Sequence, residues 1–280
     1  MATANFTNQV FIITGAASGM GRELALQAAE KGAYVIATDK NETCLAETVS
    51  LGREKGLVLH SEVLDISDKG AIACFADKIV PSLEHRKLVL INNAGVTLSS
   101  GTFQHTDLED FEWLVNINLW GAIRMTKAFY PYFFEHNEGH IVNLSSVFGF
   151  IGVAMNTPYC TSKFGLRGFS ESLRMELKGT GIHITCVHPG GVKTNIVRNT
   201  LLKNGVIRTA QHRKSISSFD KKAMTTAASA ATQILDAIAC KKQRLVIGKD
   251  GKAIDWISRI FPVGYTSILE MQLKKAFGVV

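Results

Sequence analysis

The sequence predicts a doubly wound α/β fold: a parallel sheet covered by helices on both faces, in three layers, with a C-terminal helical extension. Three observations carry this prediction. Short apolar runs alternate with longer stretches of helical periodicity from Gln9 to Ile247. A glycine-rich turn, Thr14-Gly15-Ala16-Ala17-Ser18-Gly19-Met20-Gly21, joins the first apolar run to the first helical stretch. Successive runs close on polar or small residues (Asp39, Asp65, Asn92, Ser145, Pro189), and a parallel sheet gathers such ends along the edge where ligands bind.

Gln9 to Thr14 reads as a short buried strand, and Arg22 to Glu30 as a helix with Leu24, Leu26, Ala28 and Ala29 apolar and Lys31-Gly32 as its stop. Tyr34 to Thr38 is a second strand, Glu42 to Lys55 a helix, Leu57 to Leu64 a third strand, and Lys69 to Val80 a helix before the strand Leu88 to Ile91. Helical pattern spans Asp107 to Phe134, read as two helices, ahead of the strand His140 to Leu144. A long helix from about Thr157 to Lys178, a strand from His183 to Val187, an alanine-rich helix from Ala223 to Ala239 and a last strand, Arg244 to Ile247, complete the alternation. No linker or repeat interrupts it, so a single domain over residues 1–280 is expected.

With 46% hydrophobic residues the chain can bury a substantial core. Its five cysteines, at 44, 74, 160, 186 and 240, are odd in number and lack Cys-x-x-Cys spacing, which argues against a disulfide framework and a zinc knuckle. The histidines do not cluster as ligands do, so no metal is expected. Met1 to Asn8 lacks the pattern of a signal peptide, and no apolar run reaches the ~18 residues of a membrane span. A cytoplasmic location is the expectation. The net charge of +7 is local: residues 193–222 hold eight basic residues against Asp220, and the rest of the chain is balanced.

Tyr159 and Lys163 stand one helical turn apart on one face. An ammonium group beside a phenol favours the phenolate, so the spacing predicts a tyrosine, normally titrating near pH ~10, that exchanges protons near neutrality. The glycine turn offers backbone N–H groups and a helix N-terminus to a pyrophosphate. Asp39, 18 residues beyond Gly21, can accept hydrogen bonds from both hydroxyls of an adenosine ribose and would repel a 2′-phosphate, which selects NAD over NADP. Lys40, next to it, can attract that phosphate, so NADP stands as the alternative.

With TGAASGMG, NNAG and YCTSK in this order, the chain resembles the short-chain dehydrogenase/reductase family in its compact single-domain branch, from about Gln9 to Ile247. The resemblance implies a Rossmann-like fold and a role for each matching residue. Tyr159 matches the acid/base, and Lys163 the lysine that lowers its pKa and holds the nicotinamide ribose. Ser146, thirteen residues before Tyr159, matches the serine that binds the substrate oxygen, with Ser145 its structural neighbour. Asn118 matches the asparagine of the proton relay, with Asn116 the alternative. Thr14, Gly15, Ser18, Gly19, Met20 and Gly21 match the pyrophosphate turn, Asp39 the ribose contact, and Asp65 with Ile66 the adenine contact. Asn92 and Asn93 match residues that order the central sheet at the cofactor. Ala94 and Gly95 match the place where the adenosine ribose passes close. Pro189, Gly190, Val192 and Thr194 match the segment that reaches the nicotinamide carboxamide. The family is often dimeric or tetrameric.

The implied activity is hydride transfer between NAD(P) and a secondary alcohol or ketone, with no metal. Two rivals are a non-catalytic dinucleotide sensor of the same fold and a nucleotide-sugar epimerase or dehydratase, for which too little chain follows Ile247. Specificity is expected from Val96 to Gln104, from the apolar stretch Val147 to Thr157, and from a lid over residues 195–222. The apolar stretch can be a pocket wall or ordinary packing. The basic lid can bind an anionic group or be a solvated loop; with one aromatic, Phe219, it does not predict nucleic-acid binding. Residues 249–280 form the extension, where Ile254, Ile257, Ile260 and Phe261 make a helical stripe. It can pack on its own domain, on a neighbouring subunit or on a membrane surface.

Overall fold

The computed structural model describes residues 4–99, 101–194, 196, 200–202 and 224–267. Its main elements are β1 (Gln9–Thr14), α1 (Gly19–Glu30), β2 (Tyr34–Asp39), α2 (Glu42–Glu54), β3 (Leu59–Val63), α3 (Lys69–Ile79), β4 (Lys87–Asn92), α4 (Leu108–Val115), α5 (Ala122–His136), β5 (Glu138–Leu144), α6 (Thr157–Glu176), β6 (Gly181–Pro189), α7 (Ala227–Ala239), β7 (Arg244–Ile247) and α8 (Lys249–Ile260). The seven strands form one parallel sheet in the order β7-β6-β5-β4-β1-β2-β3. This is the predicted doubly wound sheet. The direction of winding reverses between β1 and β4, where such sheets open a crevice at the carboxyl ends of their strands.

Alternate residues of β1 serve opposite faces, as strand geometry requires. Phe11 and Ile13 join Leu24, Ala28, Ile234 and Leu235 in a core under α1 and α7. Val10 and Ile12 join Ile72, Phe75, Phe129, Phe133 and Leu173 under α3, α5 and α6. Burial on both faces explains the near-continuous apolar runs of the central strands.

Several boundaries differ from the sequence pattern. α1 starts at Gly19 rather than Arg22, because the last glycines of the turn already belong to the helix. β3 is confined to Leu59–Val63 and exposes Val63, as an edge strand can. The stretch read as two separate helices is one helical path, with a wider π turn at Asn116–Gly121 joining α4 to α5. Two short parallel pairs were not legible as strands: Leu98–Ser99 with Leu201–Leu202, and Val192–Lys193 with Thr225–Thr226.

A buried polar chain crosses the sheet beneath the crevice. Asn92 Nδ2 donates to Asn143 Oδ1 at 2.8 Å and to Thr126 Oγ1 at 3.1 Å, and Asn143 Nδ2 donates to Ser170 Oγ at 2.9 Å. It ties β4 and β5 to α5 and α6. Asn143→Ala would strand the polar groups of Asn92 and Ser170 in a dry interior. Its expected cost is about 2–4 kcal/mol of unfolding free energy, read by urea denaturation; a loss within about 0.5 kcal/mol, the level of an ordinary surface substitution, would contradict this role.

Candidate active site

The glycine turn lies between β1 and α1, at the carboxyl edge of the sheet. Gly15 and Gly19 have φ of +70° and +55°, the left-handed region that favours glycine. Gly21 is required for space, since a Cβ there would collide with the Gly15 carbonyl oxygen. Ser18, the N-cap of α1, makes no side-chain cap to the helix, so the first-turn amides lack the usual side-chain acceptor. A positive helix end over a glycine backbone fits a pyrophosphate.

Two residues that the motif did not single out hold this turn. Arg22 donates to the Ala17 carbonyl through Nη2 at 2.6 Å and Nε at 3.1 Å, reaches Thr48 Oγ1 at 2.9 Å, and pairs with Glu47 at 3.0 Å. The buried Thr48 hydroxyl donates to Ala16 O at 3.0 Å. A basic residue directly after the third glycine was the available signal for Arg22; nothing in the sequence pointed to Thr48. From the other side, Asn93 Nδ2 donates to Thr14 O at 2.8 Å, and Thr14 Oγ1 accepts from the backbone N–H of Asn93 and Ala94 at 3.0 and 3.1 Å.

Asp39 stands at the end of β2. Its Oδ2 accepts from Ala17 N at 3.1 Å and its Oδ1 from Asn41 N at 2.9 Å, which leaves lone pairs on both oxygens for further donors. Lys40 is exposed and its field falls on Asp65. Burial raises the Asp65 carboxyl, but hydrogen bonds from the Ser67 hydroxyl and backbone, with the Lys40 charge, outweigh that and hold it below its ordinary value. Ile66 is buried, and a Cβ on Gly121 would lie 2.7 Å from its side chain. The Asn92 side chain is buried in the polar chain beneath the crevice. Across the turn, a Cβ on Gly19 would lie 3.3 Å from Thr194, so the segment after β6 and the glycine turn face each other.

Four further side chains meet where β5 ends and α6 begins. Pro158 in the first turn of α6 suits a position whose N–H needs no intrahelical partner, and Tyr159 follows. Lys163, one turn on and 4% exposed, places Nζ 5.6 Å from the centre of the Tyr159 ring and donates to Leu144 O at 2.8 Å. The Ser146 hydroxyl is near enough to the phenol to favour its ionised form, and its Oγ accepts from Phe148 N at 3.2 Å. A Cβ on Gly95 would lie 3.3 Å from Asn118 Oδ1 and 3.5 Å from Lys163 Nζ. Asn118, on the π turn, accepts from Val96 N at 2.8 Å and donates to Val96 O at 2.9 Å, clamping the segment after β4. Asn116 faces away, donating to Ser67 O at 3.2 Å and accepting from Arg124 at 2.7 Å. Ser145 donates to Lys163 O at 2.8 Å.

Burial acts against the charge of both members of the pair. Burial pushes Tyr159 up to about 12, and the Ser146 hydroxyl draws it back only in part. Burial also brings Lys163 down to about 8. The spacing predicted a phenolate favoured by its lysine; desolvation opposes both charges and wins, while the ammonium is engaged by the Leu144 carbonyl. In the protein by itself Tyr159 is a phenol.

His188, at the end of β6, was not among the expected site residues. It is fully buried, and Nδ1 lies 3.0 Å from the Ser146 carbonyl. Burial takes its pKa down to about 4, so the ring is neutral, Nδ1–H is the donor and Nε2, which has no partner, is bare. The imidazole thus fixes the backbone of the serine that faces Tyr159.

The apolar stretch after β5 divides between two roles. Val147, Phe150 and Ile151 pack against Ile254 of α8 and against Tyr265, whose hydroxyl accepts from Gly152 N at 3.0 Å. Phe148 packs against this cluster too and meets the Tyr159 ring edge-on, at 6.0 Å between centres. The described part of the C-terminal extension packs on its own domain through Ile254 and Tyr265, while Trp256, Ile260, Phe261 and Val263 are exposed. Most of the basic lid over 195–222 lies outside the described residues; its start is bound to the loop after β4, with Thr97 Oγ1 2.6 Å from Thr200 Oγ1. Among the described residues no helix is long and apolar enough to cross a membrane.

The Lys163 shift predicts a pH signature. Its folded value, about 8, lies below the ordinary 10.5, so unfolding takes up a proton between these limits and Lys163 makes stability rise with pH across that window. The stability of the wild type minus that of Lys163→Met, measured by urea denaturation, should rise from pH 8 to pH 10. A flat difference would show that the ammonium is not desolvated.

Residues 9–204 match the model of the short chain dehydrogenase family. SadH of Mycobacterium tuberculosis, assigned to the oxidoreductases, is 35% identical over 277 residues, 98% of each chain. Among solved structures, a short chain dehydrogenase/reductase from Burkholderia phymatum in complex with NAD superposes with a TM-score of 0.81 at 25% identity, over 96% of each chain. A serine dehydrogenase complexed with NADP+ gives a TM-score of 0.74 at 26% identity, over 85% of this chain and 94% of its own. A family match across most of the sheet and a relative of the same length agree with the glycine turn and the Tyr159–Lys163 pair: the chain is an oxidoreductase of the short-chain dehydrogenase/reductase family.

Proposed function

We propose that the chain transfers hydride between NAD(H), in preference to NADP(H), and a secondary alcohol or ketone of apolar character, with Tyr159 as the acid/base. The observation that carries this reading is the meeting of Tyr159, Ser146 and the buried Lys163 at the strand edge that the glycine turn also faces. The pyrophosphate would lie on the glycine turn and the N-terminus of α1, and the adenosine ribose on Asp39 with Ala94 and Gly95 beside it. Asp65 and Ile66 would flank the adenine. Lys163 would hold the nicotinamide ribose, and Pro189 to Thr194 the carboxamide. Bound there, an oxidised nicotinamide supplies a hydride acceptor and a fixed positive charge.

The preference for NAD rests on charge. Asp39 is anchored by two backbone N–H groups, so it cannot easily turn away from a 2′-phosphate, and close like charges are costly. Lys40 is exposed, and its charge also reaches Asp65.

Each residue then has a distinct task. Ser146 holds the substrate oxygen and donates to it while its backbone is pinned by His188. Tyr159 gives its proton to a carbonyl oxygen during reduction and takes one from an alcohol during oxidation. With its pKa raised by burial, the phenol holds a proton that it can donate to a carbonyl oxygen. Oxidation requires added positive charge near the phenol before the phenolate can form. In the dry site beside Lys163, such a charge acts strongly. The Phe148 ring against Tyr159 favours substrates with an apolar face next to the reacting carbon.

Tyr159→Phe should lower turnover about 10²–10⁴-fold, the usual contribution of a positioned proton-transfer group, while NADH affinity stays within about threefold. The check is steady-state turnover on a panel of apolar ketones together with NADH fluorescence titration. Undiminished turnover in the variant would sink the assignment.

A further inference from the structure

The C-terminal extension reaches the cofactor side of the crevice as well as the substrate loop. Asp250, in the first turn of α8, accepts a hydrogen bond from Gly191 N at 2.6 Å. The neighbouring Gly190 has no side chain to keep this carboxylate off: a Cβ there would lie 2.5 Å from Asp250 Oδ2. The other oxygen is seated against Gly248, where a Cβ would collide with Oδ1. Gly251 brings the helix close as well, with a Cβ there 3.3 Å from Gly190 N. Two glycines, Gly190 and Gly248, thus clear space for one carboxylate, and an acidic residue in a first helical turn is electrostatically well placed.

The turn that Asp250 grips continues into Val192–Lys193, which pairs with Thr225–Thr226, and then into Thr194, which lies against Gly19. Gly190 N is itself bonded to Ile247 O at 2.9 Å. Gly191 N is the next amide, and its acceptor comes from a side chain of the extension. The extension is in turn locked to the sheet: Asp255 of α8 takes two hydrogen bonds from Arg244 of β7, at 2.7 and 2.8 Å, and the Arg244 guanidinium sits 5.3 Å over the Phe150 ring. A rigid helix therefore carries the carboxylate that sets the Pro189–Thr194 backbone.

We infer that Asp250 is a positioning residue for the nicotinamide half of the cofactor: by accepting from Gly191 it holds the Pro189–Thr194 segment in the shape that receives the nicotinamide. The inference rests on the oxidoreductase reading above, which assigns that segment to the nicotinamide. It gives the extension a function in cofactor binding that the family's core does not require. Asp250 touches no reacting atom and acts only through the backbone it holds.

The test compares two probes on the full-length protein, NADH and ADP-ribose, the second of which lacks the nicotinamide. Wild-type protein should bind both. Asp250→Ala, and Asp250→Ser should the alanine variant not fold, should weaken NADH about tenfold, as expected for loss of a charge-assisted hydrogen bond, and leave ADP-ribose within about twofold. Asp250→Asn, whose amide oxygen still accepts from Gly191, should return NADH to within about threefold of wild type. Equal weakening of both probes would make the role merely structural and overturn the inference, as would a folded variant that binds NADH like wild type. Failure of the wild type itself to bind NADH would be a different result: it would remove the NAD(H) reading above, and the inference with it.

Discussion

A lysine ammonium removed from water is the constraint around which the catalytic half of the molecule is arranged. Lys163 donates to the Leu144 carbonyl, and Ser145 donates to the carbonyl of Lys163. These reciprocal bonds, at 2.8 Å each, lock the start of α6 onto the end of β5. Gly149 must be glycine for this packing, because a Cβ there would lie 2.9 Å from Lys163 O and collide with Ser145 Oγ. Asn118, Gly95 and Tyr159 then have fixed neighbours. Desolvation is costly for both members of the tyrosine–lysine pair, and the fold sustains it through backbone hydrogen bonds rather than through a counter-ion. The result is a site strongly responsive to any charge brought beside it.

The frame that delivers this pair was legible in the sequence for physical reasons. Strands buried on both faces must be apolar throughout, so Val10 to Ile13 and Leu88 to Ile91 stood out. A tight strand-to-helix turn needs glycine at Gly15 and Gly19, so the crevice could be located without coordinates. Features decided by tertiary contact were hidden. The π turn that carries Asn118 has the same apolar periodicity as an ordinary helix. Burial set the ionisation of Tyr159 and Lys163 against the effect expected from their spacing, and local spacing says nothing of desolvation. Thr48, His188 and Asp250 act across 32, 42 and 59 residues of chain, beyond any local pattern. The stripe Ile254, Ile257, Ile260 and Phe261 announced a helix but not its partner; Ile254 packs on Val147, Phe150 and Ile151, about a hundred residues earlier, while Ile260 and Phe261 are exposed.

The extension links the two sides of the crevice. Asp250 grips the segment after β6, while Ile254 and Tyr265 support the stretch that carries Phe148. A shift of α8 would therefore be felt at both the turn after β6 and the wall beside Tyr159. The loop after β4 and the start of the lid are joined separately, through Thr97, Thr200 and the short strand pair at Leu98–Ser99. Among the described residues, the region above the strand ends thus contains two braced units on the sheet, an arrangement in which loops carry specificity while the sheet carries chemistry.

On the proposed reading, Tyr159 is a desolvated phenol whose proton is released when positive charge arrives beside it. The most direct measurement is the tyrosinate absorbance of wild type minus that of Tyr159→Phe, followed against pH with and without NAD. Without the dinucleotide, the Tyr159 signal should not appear below about pH 10, the ordinary tyrosine value. With NAD bound, it should move down by at least about two pH units, the scale of a nearby opposite charge in a dry site. A titration that NAD leaves unchanged, or a phenolate already present near neutrality in the protein alone, would contradict the account.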